Sequence, residues 1–228
     1  MTQPISAATR RNIRDWGLES KLFSVSRFKD KVAIVAGGEL PLAQSLVRRL
    51  AEFGATVVAL GDDAEILWRL ARQYPGAVQT LTLGRGWREV LRLLQEAWAE
   101  EPIDLYIDLL PLAESHSLSE TRDVFSRSAA LASALLPGMR AGQAQAVLCF
   151  PQARAGAPNR GTRAAGYAGL VRHFNENCLP GRFLGLNFND ADCAWTDADC
   201  LSAGDAILML CHPVSRGVQP GTVLAWTA

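Results

Sequence analysis

The chain has 228 residues, 49% of them apolar, with 23 basic and 23 acidic side chains and a formal net charge of zero. That composition supports one large core and, at this length, a single α/β domain. Balanced charge excludes a global field that would draw in nucleic acid or an anionic membrane.

The chain divides into an N-terminal arm, residues 1–27, and one domain, residues 28–228. In the arm, Ser6 is placed to cap a short helix running through Trp16, with Ile13 and Trp16 on one face. Trp16, Leu18, Leu22 and Phe23 are too apolar for a solvated tail. The arm therefore packs either on its own domain or on a partner subunit. Arg10, Arg11 and Arg14 are not followed by an apolar h-region, so no secretory signal is expected.

From Phe28 onward strands and helices alternate. Strand-like apolar runs are Val32–Val35, Thr56–Leu60, Val78–Leu83, Ile103–Leu109, Ala146–Phe150, Phe183–Phe188 and Thr222–Ala225. Between them fall helical stretches at Pro41–Phe53, Asp63–Gln73, Trp87–Trp98, Ser119–Met139, Thr162–Cys178 and Gly204–Cys211. Gly54 reads as the residue that ends the first helix, and Asp62 as the cap of the second. This βαβα order predicts a doubly wound parallel sheet of about seven strands with helices on both faces.

The segment from Lys31 to Leu50 is laid out as a strand, a glycine turn and a helix. Gly37 and Gly38 permit a tight turn, and Pro41 suits the first helical position. A helix start of this kind holds a pyrophosphate with its free N–H groups and positive dipole end. Here Pro41 removes one donor, and Ala43 puts a methyl where a third glycine allows close approach. The fold signal is intact and the phosphate signal is damaged.

No 18-residue apolar run is present, so no membrane span is expected. Five cysteines, at 149, 178, 193, 200 and 211, are scattered and odd in number, as in free thiols of a cytoplasmic protein. Cys193, Cys200, Cys211 and His212 lack the two-to-four-residue spacing of a zinc knuckle, and no metal site is expected. Only Lys21, Lys29 and Lys31 among the basic residues are lysine, a skew that fits a GC-rich coding sequence better than a binding surface.

Three segments resemble the short-chain dehydrogenase/reductase family. Phe28-Lys-Asp-Lys-Val-Ala-Ile-Val-Ala-Gly-Gly is similar to its opening strand and turn. Arg163-Ala-Ala-Gly-Tyr-Ala-Gly-Leu-Val-Arg is similar to the helix that begins at its catalytic lysine. Gly204-Asp-Ala-Ile-Leu-Met-Leu, with Arg216-Gly-Val-Gln-Pro-Gly-Thr-Val-Leu, resembles its closing helix and last strand. The resemblance covers about 200 residues and implies a Rossmann-like sheet that holds NAD(P).

The family's Thr-Gly-x3-Gly-x-Gly turn falls on Ala36, Gly37, Pro41 and Ala43, so only its first glycine remains. The resemblance places any cofactor contacts at Gly37, Gly38, Leu40, Asp62 and Asp108. Gly61 takes the place of the usual ribose-binding acid, and the family's Asn-Asn-Ala-Gly becomes Asp108-Leu-Leu-Pro111. Its serine position is occupied within Phe150-Pro151, which carry no hydroxyl. Its tyrosine and lysine fall on Asn159 and Arg163. Asn has no acidic proton to give, and Arg does not substitute for Lys as a pKa-lowering point charge. Tyr167 is the one rescue candidate, although Val171, four residues on, is not lysine. Cys149 reads as a buried, inert thiol.

About a dozen residues separate the sixth strand from the closing helix, where the family places a longer substrate-covering segment. Asn189, Asp190, Asp192 and Asp197 make that replacement acidic. These departures together lead to the expectation of a protein that has lost oxidoreductase catalysis and serves as an accessory, scaffold or ligand-binding subunit. The alternative is an atypical NAD(P)-dependent oxidoreductase acting on a carbonyl/alcohol pair. No cofactor is expected, NAD(P) being the candidate if one is held. The resemblance also implies a homodimer or homotetramer formed through helices 119–139 and 162–178, with a different protein partner left open.

Overall fold

The computed structural model describes residues 3–4, 28–113, 118–152, 158–188 and 195–226. Its strands are β1 (Gln3–Pro4), β2 (Val32–Ala36), β3 (Thr56–Gly61), β4 (Val78–Thr82), β5 (Leu105–Asp108), β6 (Gln145–Pro151), β7 (Arg182–Phe188) and β8 (Val223–Trp226). Its helices are α1 (Pro41–Glu52), α2 (Ala64–Gln73), α3 (Trp87–Ala97), α4 (Leu118–Ala141), α5 (Pro158–Asn177) and α6 (Asp197–Cys211).

All eight strands form one sheet in the order β1-β8-β7-β6-β5-β2-β3-β4, and every pairing is parallel. The seven strands β2–β8 are the predicted doubly wound unit. The eighth belongs to the arm: Gln3 pairs with Leu224 and Pro4 with Ala225. The rest of the arm, including Ser6, Ile13 and Trp16, lies outside the described residues.

The central strands are apolar on both sides because both sides are covered. Ala33, Val35, Leu105, Ile107, Val147, Cys149, Leu184 and Leu186 face α1, α2 and α6, whose Leu46, Leu67 and Ile207 complete one core. Ile34, Tyr106, Ala146, Leu148, Phe150 and Phe183 face α3, α4 and α5, whose Leu94, Leu135 and Val171 complete the other. Each large aliphatic side chain buried in this way stabilises the fold by about 1.5–3 kcal/mol.

Local signals set the helix ends, with two departures from expectation. Pro41 opens α1 without a side-chain cap, and Gly54, at φ +83°, ends it. The cap of α2 is Asp63, whose side chain accepts from the N–H groups of Glu65 and Ile66. Asp62, expected in that role, is turned away to an ion pair. Helix α6 begins at Asp197 rather than Gly204, because Thr196 and Asp199 form a reciprocal capping box.

From β2 the chain runs outward through α1 to β3 and β4, then crosses back to place β5 on the other side of β2. The switch point therefore lies between β2 and β5, and the crevice of such a sheet lies above their carboxyl ends.

Candidate functional site

The turn after β2 is closed by its own neighbours. Gly37 has φ +86°, and a β-carbon on it would stand 3.2 Å from the Leu109 and Leu110 main chain and from Leu40 Cδ1. A β-carbon on Gly38 would stand 2.6 Å from Leu67 Cδ2 of α2. Both glycine N–H groups donate to Leu60 O at 2.8 Å, and Leu40 N donates to Gly37 O. Three donors of the turn, on Gly37, Gly38 and Leu40, are thus already bonded within the chain.

Beside the turn stands a charged group that the sequence reading did not single out. Glu39 Oε2 accepts from Asp62 N–H at 3.2 Å and lies 2.0 Å from where a β-carbon on Gly61 would be. Asp62 accepts from both terminal nitrogens of Arg127 of α4, at 2.6 and 2.8 Å, and from Gly84 N–H at 3.0 Å. The Arg127 bonds hold the Asp62 carboxyl below its ordinary range, while burial pushes that of Glu39 above its own. The signal that could have revealed the contact is Gly61 itself, since a glycine at the end of a buried strand marks close approach by another group.

At the end of β5, Asp108 is buried, 1% exposed. Its carboxyl accepts from Leu110 N–H at 3.0 Å and from the Tyr106 hydroxyl at 3.2 Å. Burial raises its pKa to about 6, against the opposing pull of those donors and of Ser128. The chain continues as a 3-10 turn, Leu110–Leu112, whose three residues are all buried. Asp108 thus sits beneath a sealed floor.

Of the residues that the resemblance places at or beside the catalytic positions, Phe150 and Tyr167 are packed in the core. Phe150 of β6 stacks on Tyr167 of α5 with ring centroids 5.5 Å apart, and Phe125 of α4 tilts against Tyr167 at 5.2 Å. Tyr167 is 0% exposed, and its hydroxyl makes no close hydrogen bond among the described residues. Burial pushes its pKa up to about 12, opposed by the charge and hydrogen bonding of the Arg163 guanidinium. Catalysis by a tyrosine acid needs the opposite shift. Arg163 donates to Pro111 O at 2.8 Å, which ties α5 to the turn after β5. Pro151 ends β6 and is partly exposed. Asn159 lies in α5, but its side chain is outside the described residues, as are Asn189, Asp190 and Asp192. Cys149 is buried and its thiol raised well above its ordinary value by burial, as befits an inert core residue.

No family model and no curated protein matches the chain. Among solved structures it is similar to the apo form of glucose dehydrogenase from Caenorhabditis elegans, with 16% identity and a TM-score of 0.68 over 88% of this chain and 97% of that one. It is similar to a short chain dehydrogenase from Mycobacterium smegmatis, with 17% identity and a TM-score of 0.68 over 88% and 92% of the two chains. A third similar structure is the short chain dehydrogenase from Salmonella enterica serovar Typhi, with 18% identity and a TM-score of 0.63 over 90% and 97%. The fold is that of the short-chain dehydrogenases/reductases, a Rossmann-like α/β sandwich. Among the described residues no helix is long and apolar enough to cross a membrane.

Proposed function

We propose that this chain is a divergent member of the short-chain dehydrogenase/reductase family that has lost oxidoreductase catalysis and serves as an accessory, scaffold or ligand-binding subunit. The observation that carries this reading is the stack Phe125–Tyr167–Phe150. Tyr167, the tyrosine of the helix that resembles the family's catalytic helix, is spent on core packing, with its acidity reduced rather than enhanced. Arg163, at the lysine position, is likewise committed to the Pro111 carbonyl. Fold alone does not imply the reaction.

The test is thermal melting with NADH and NADPH, together with a panel of ketones and alcohols read at the absorbance of the reduced cofactor. Ligand at 100 times its Kd adds about 2.7 kcal/mol of stability, which a melt resolves readily. No shift and no turnover are expected. A second reading, an atypical NAD(P)-dependent oxidoreductase, draws support from structural neighbours that are themselves named dehydrogenases. Turnover that disappears in Tyr167→Phe would establish it.

The proposed subunit contact is homo-oligomeric, through α4 and α5. Ala132 and Ala134 are buried in their own chain, whereas Ala129, Ala130, Ala164, Ala165, Ala168 and Gly169 keep some exposure. Small residues on that open face let two copies of a helix pair approach closely about a two-fold axis. Light scattering at micromolar concentration should give at least a dimer, and a monomer would remove this part of the proposal.

A further inference from the structure

Glu39 stands in the turn that a dinucleotide must reach, yet its side chain folds back over the end of β3. Its Oε2 accepts from Asp62 N–H and occupies space that a β-carbon on Gly61 would need, only 2.0 Å away. A side chain at position 61 would require the carboxylate end of Glu39 to swing away. The acid in the turn and the glycine at the strand end are two halves of one contact.

Asp62 is fixed from the opposite side by Arg127 and by Gly84 N–H. Asp62 and Arg127 balance each other's charge, which leaves the Glu39 carboxylate as the unbalanced charge of the group. An adenine dinucleotide brings its ribose hydroxyls to the end of this strand and its pyrophosphate to the adjoining helix start. Glu39 fills the first volume and sets a negative charge beside the second.

We propose that Glu39 is the residue that excludes adenine dinucleotides from this chain, its side chain taking the ribose volume over Gly61. The inference deepens the loss-of-function reading above but concerns the cofactor end of the crevice, so binding and turnover test the two separately.

Calorimetric titration with NADH and with ADP-ribose is run on the wild type, Glu39→Gly and Glu39→Gln. The wild type should give no saturable heat up to millimolar ligand. Glu39→Gly should bind at least about tenfold more tightly. Glu39→Gln keeps the volume without the charge and should gain clearly less than Glu39→Gly. An equal gain in both variants would overturn the steric plug. So would the absence of any gain in a cooperatively melting Glu39→Gly. Wild-type binding that is lost in Glu39→Gly would overturn it as well, by making the carboxylate the ribose acceptor. Should Glu39→Gly not fold, Glu39→Ser takes its place in the titration, and hydrogen exchange at the Asp62 amide gives a ligand-free readout. Exchange about tenfold faster than in the wild type supports the contact, and unchanged exchange overturns it. Turnover is assayed on the same samples. Binding without turnover supports both readings, binding with turnover supports this inference and defeats the loss of catalysis, and no binding in folded variants defeats this inference alone.

Discussion

The crevice above β2 and β5 is closed at its two ends by opposite kinds of side chain. On the β3 side the closure is polar, with Glu39 against Gly61 and the ion pair Asp62–Arg127 beside it. On the β6 side it is aromatic, with Tyr167 held between Phe125 and Phe150. The polar closure adds little to the core and carries a desolvation cost, visible in the raised Glu39 carboxyl. The aromatic closure is itself core. One end is therefore separable from folding by a single substitution, whereas the other cannot be opened without unmaking core packing.

The largest expected effect is at Tyr167. Truncation to Ala should cost about 3–5 kcal/mol, as for other large buried aromatics. Tyr167→Phe keeps both ring contacts and removes a buried hydroxyl that makes no close hydrogen bond but interacts with the Arg163 guanidinium, so it should change stability by no more than about 1 kcal/mol. Chemical denaturation of the two variants checks both. A Tyr167→Phe that is clearly destabilised would show a working hydroxyl and erase the contrast between the two ends.

Asp108, at the end of β5, comes next, and its effect depends on pH. Its folded pKa is about 6, above the ordinary carboxylate value of 3.8, so the folded state holds the proton more tightly than the unfolded one. Stability contributed by the neutral acid is fully present below pH 3.8 and is lost as pH rises through about 6. Asp108→Asn removes that loss while its amide oxygen can still accept from Leu110 N–H. The variant should be more stable than the wild type above pH 6, by on the order of 2–3 kcal/mol as an upper bound. The difference should shrink toward zero near pH 4. Urea melts at pH 4, 6 and 8 decide this, and a gain independent of pH would mean that the carboxyl is not neutral in the fold.

The fold was legible in the sequence because it is written in redundant patterns. The apolar runs at Val32–Val35 and Thr56–Leu60 and the spacing of Leu42, Leu46 and Leu50 repeat one instruction many times. The catalytic end was legible only as departures from the family pattern, since Phe150, Pro151, Asn159 and Arg163 stand where the resemblance calls for other residue types. What replaced them was not legible, because the Tyr167 stack joins residues from three separate elements. The cofactor end was half legible. Gly61 was noticed as a missing acid, but its partner Glu39 passed as a spacer within the turn. Asp62 and Asp63 are adjacent acids, and only the backbone angle at the helix start decides which of them caps α2. The early start of α6 was available in Thr196 and Asp199, whose spacing is that of a capping box.

The smallest expected effect is at Arg127, and it tests whether the polar closure is held electrostatically. The Asp62 side chain is 46% exposed, so solvent screening leaves the pair worth no more than about 1 kcal/mol despite its two hydrogen bonds. Arg127→Gln should lower stability by that amount or less near neutral pH. The folded Asp62 carboxyl sits below its ordinary 3.8, chiefly through the Arg127 bonds. Its contribution is present above pH 3.8 and is lost as pH falls through the lowered folded value. The gap between wild type and Arg127→Gln should therefore close in acid, and it should also narrow in 1 M salt, where the screening length falls to about 3 Å. Melting curves across pH 3–7 at low and high salt make the comparison. A gap that persists unchanged in acid and in salt would mean that Arg127 contributes by packing its stem. The polar end of the crevice would then be held as the aromatic end is, by shape rather than charge.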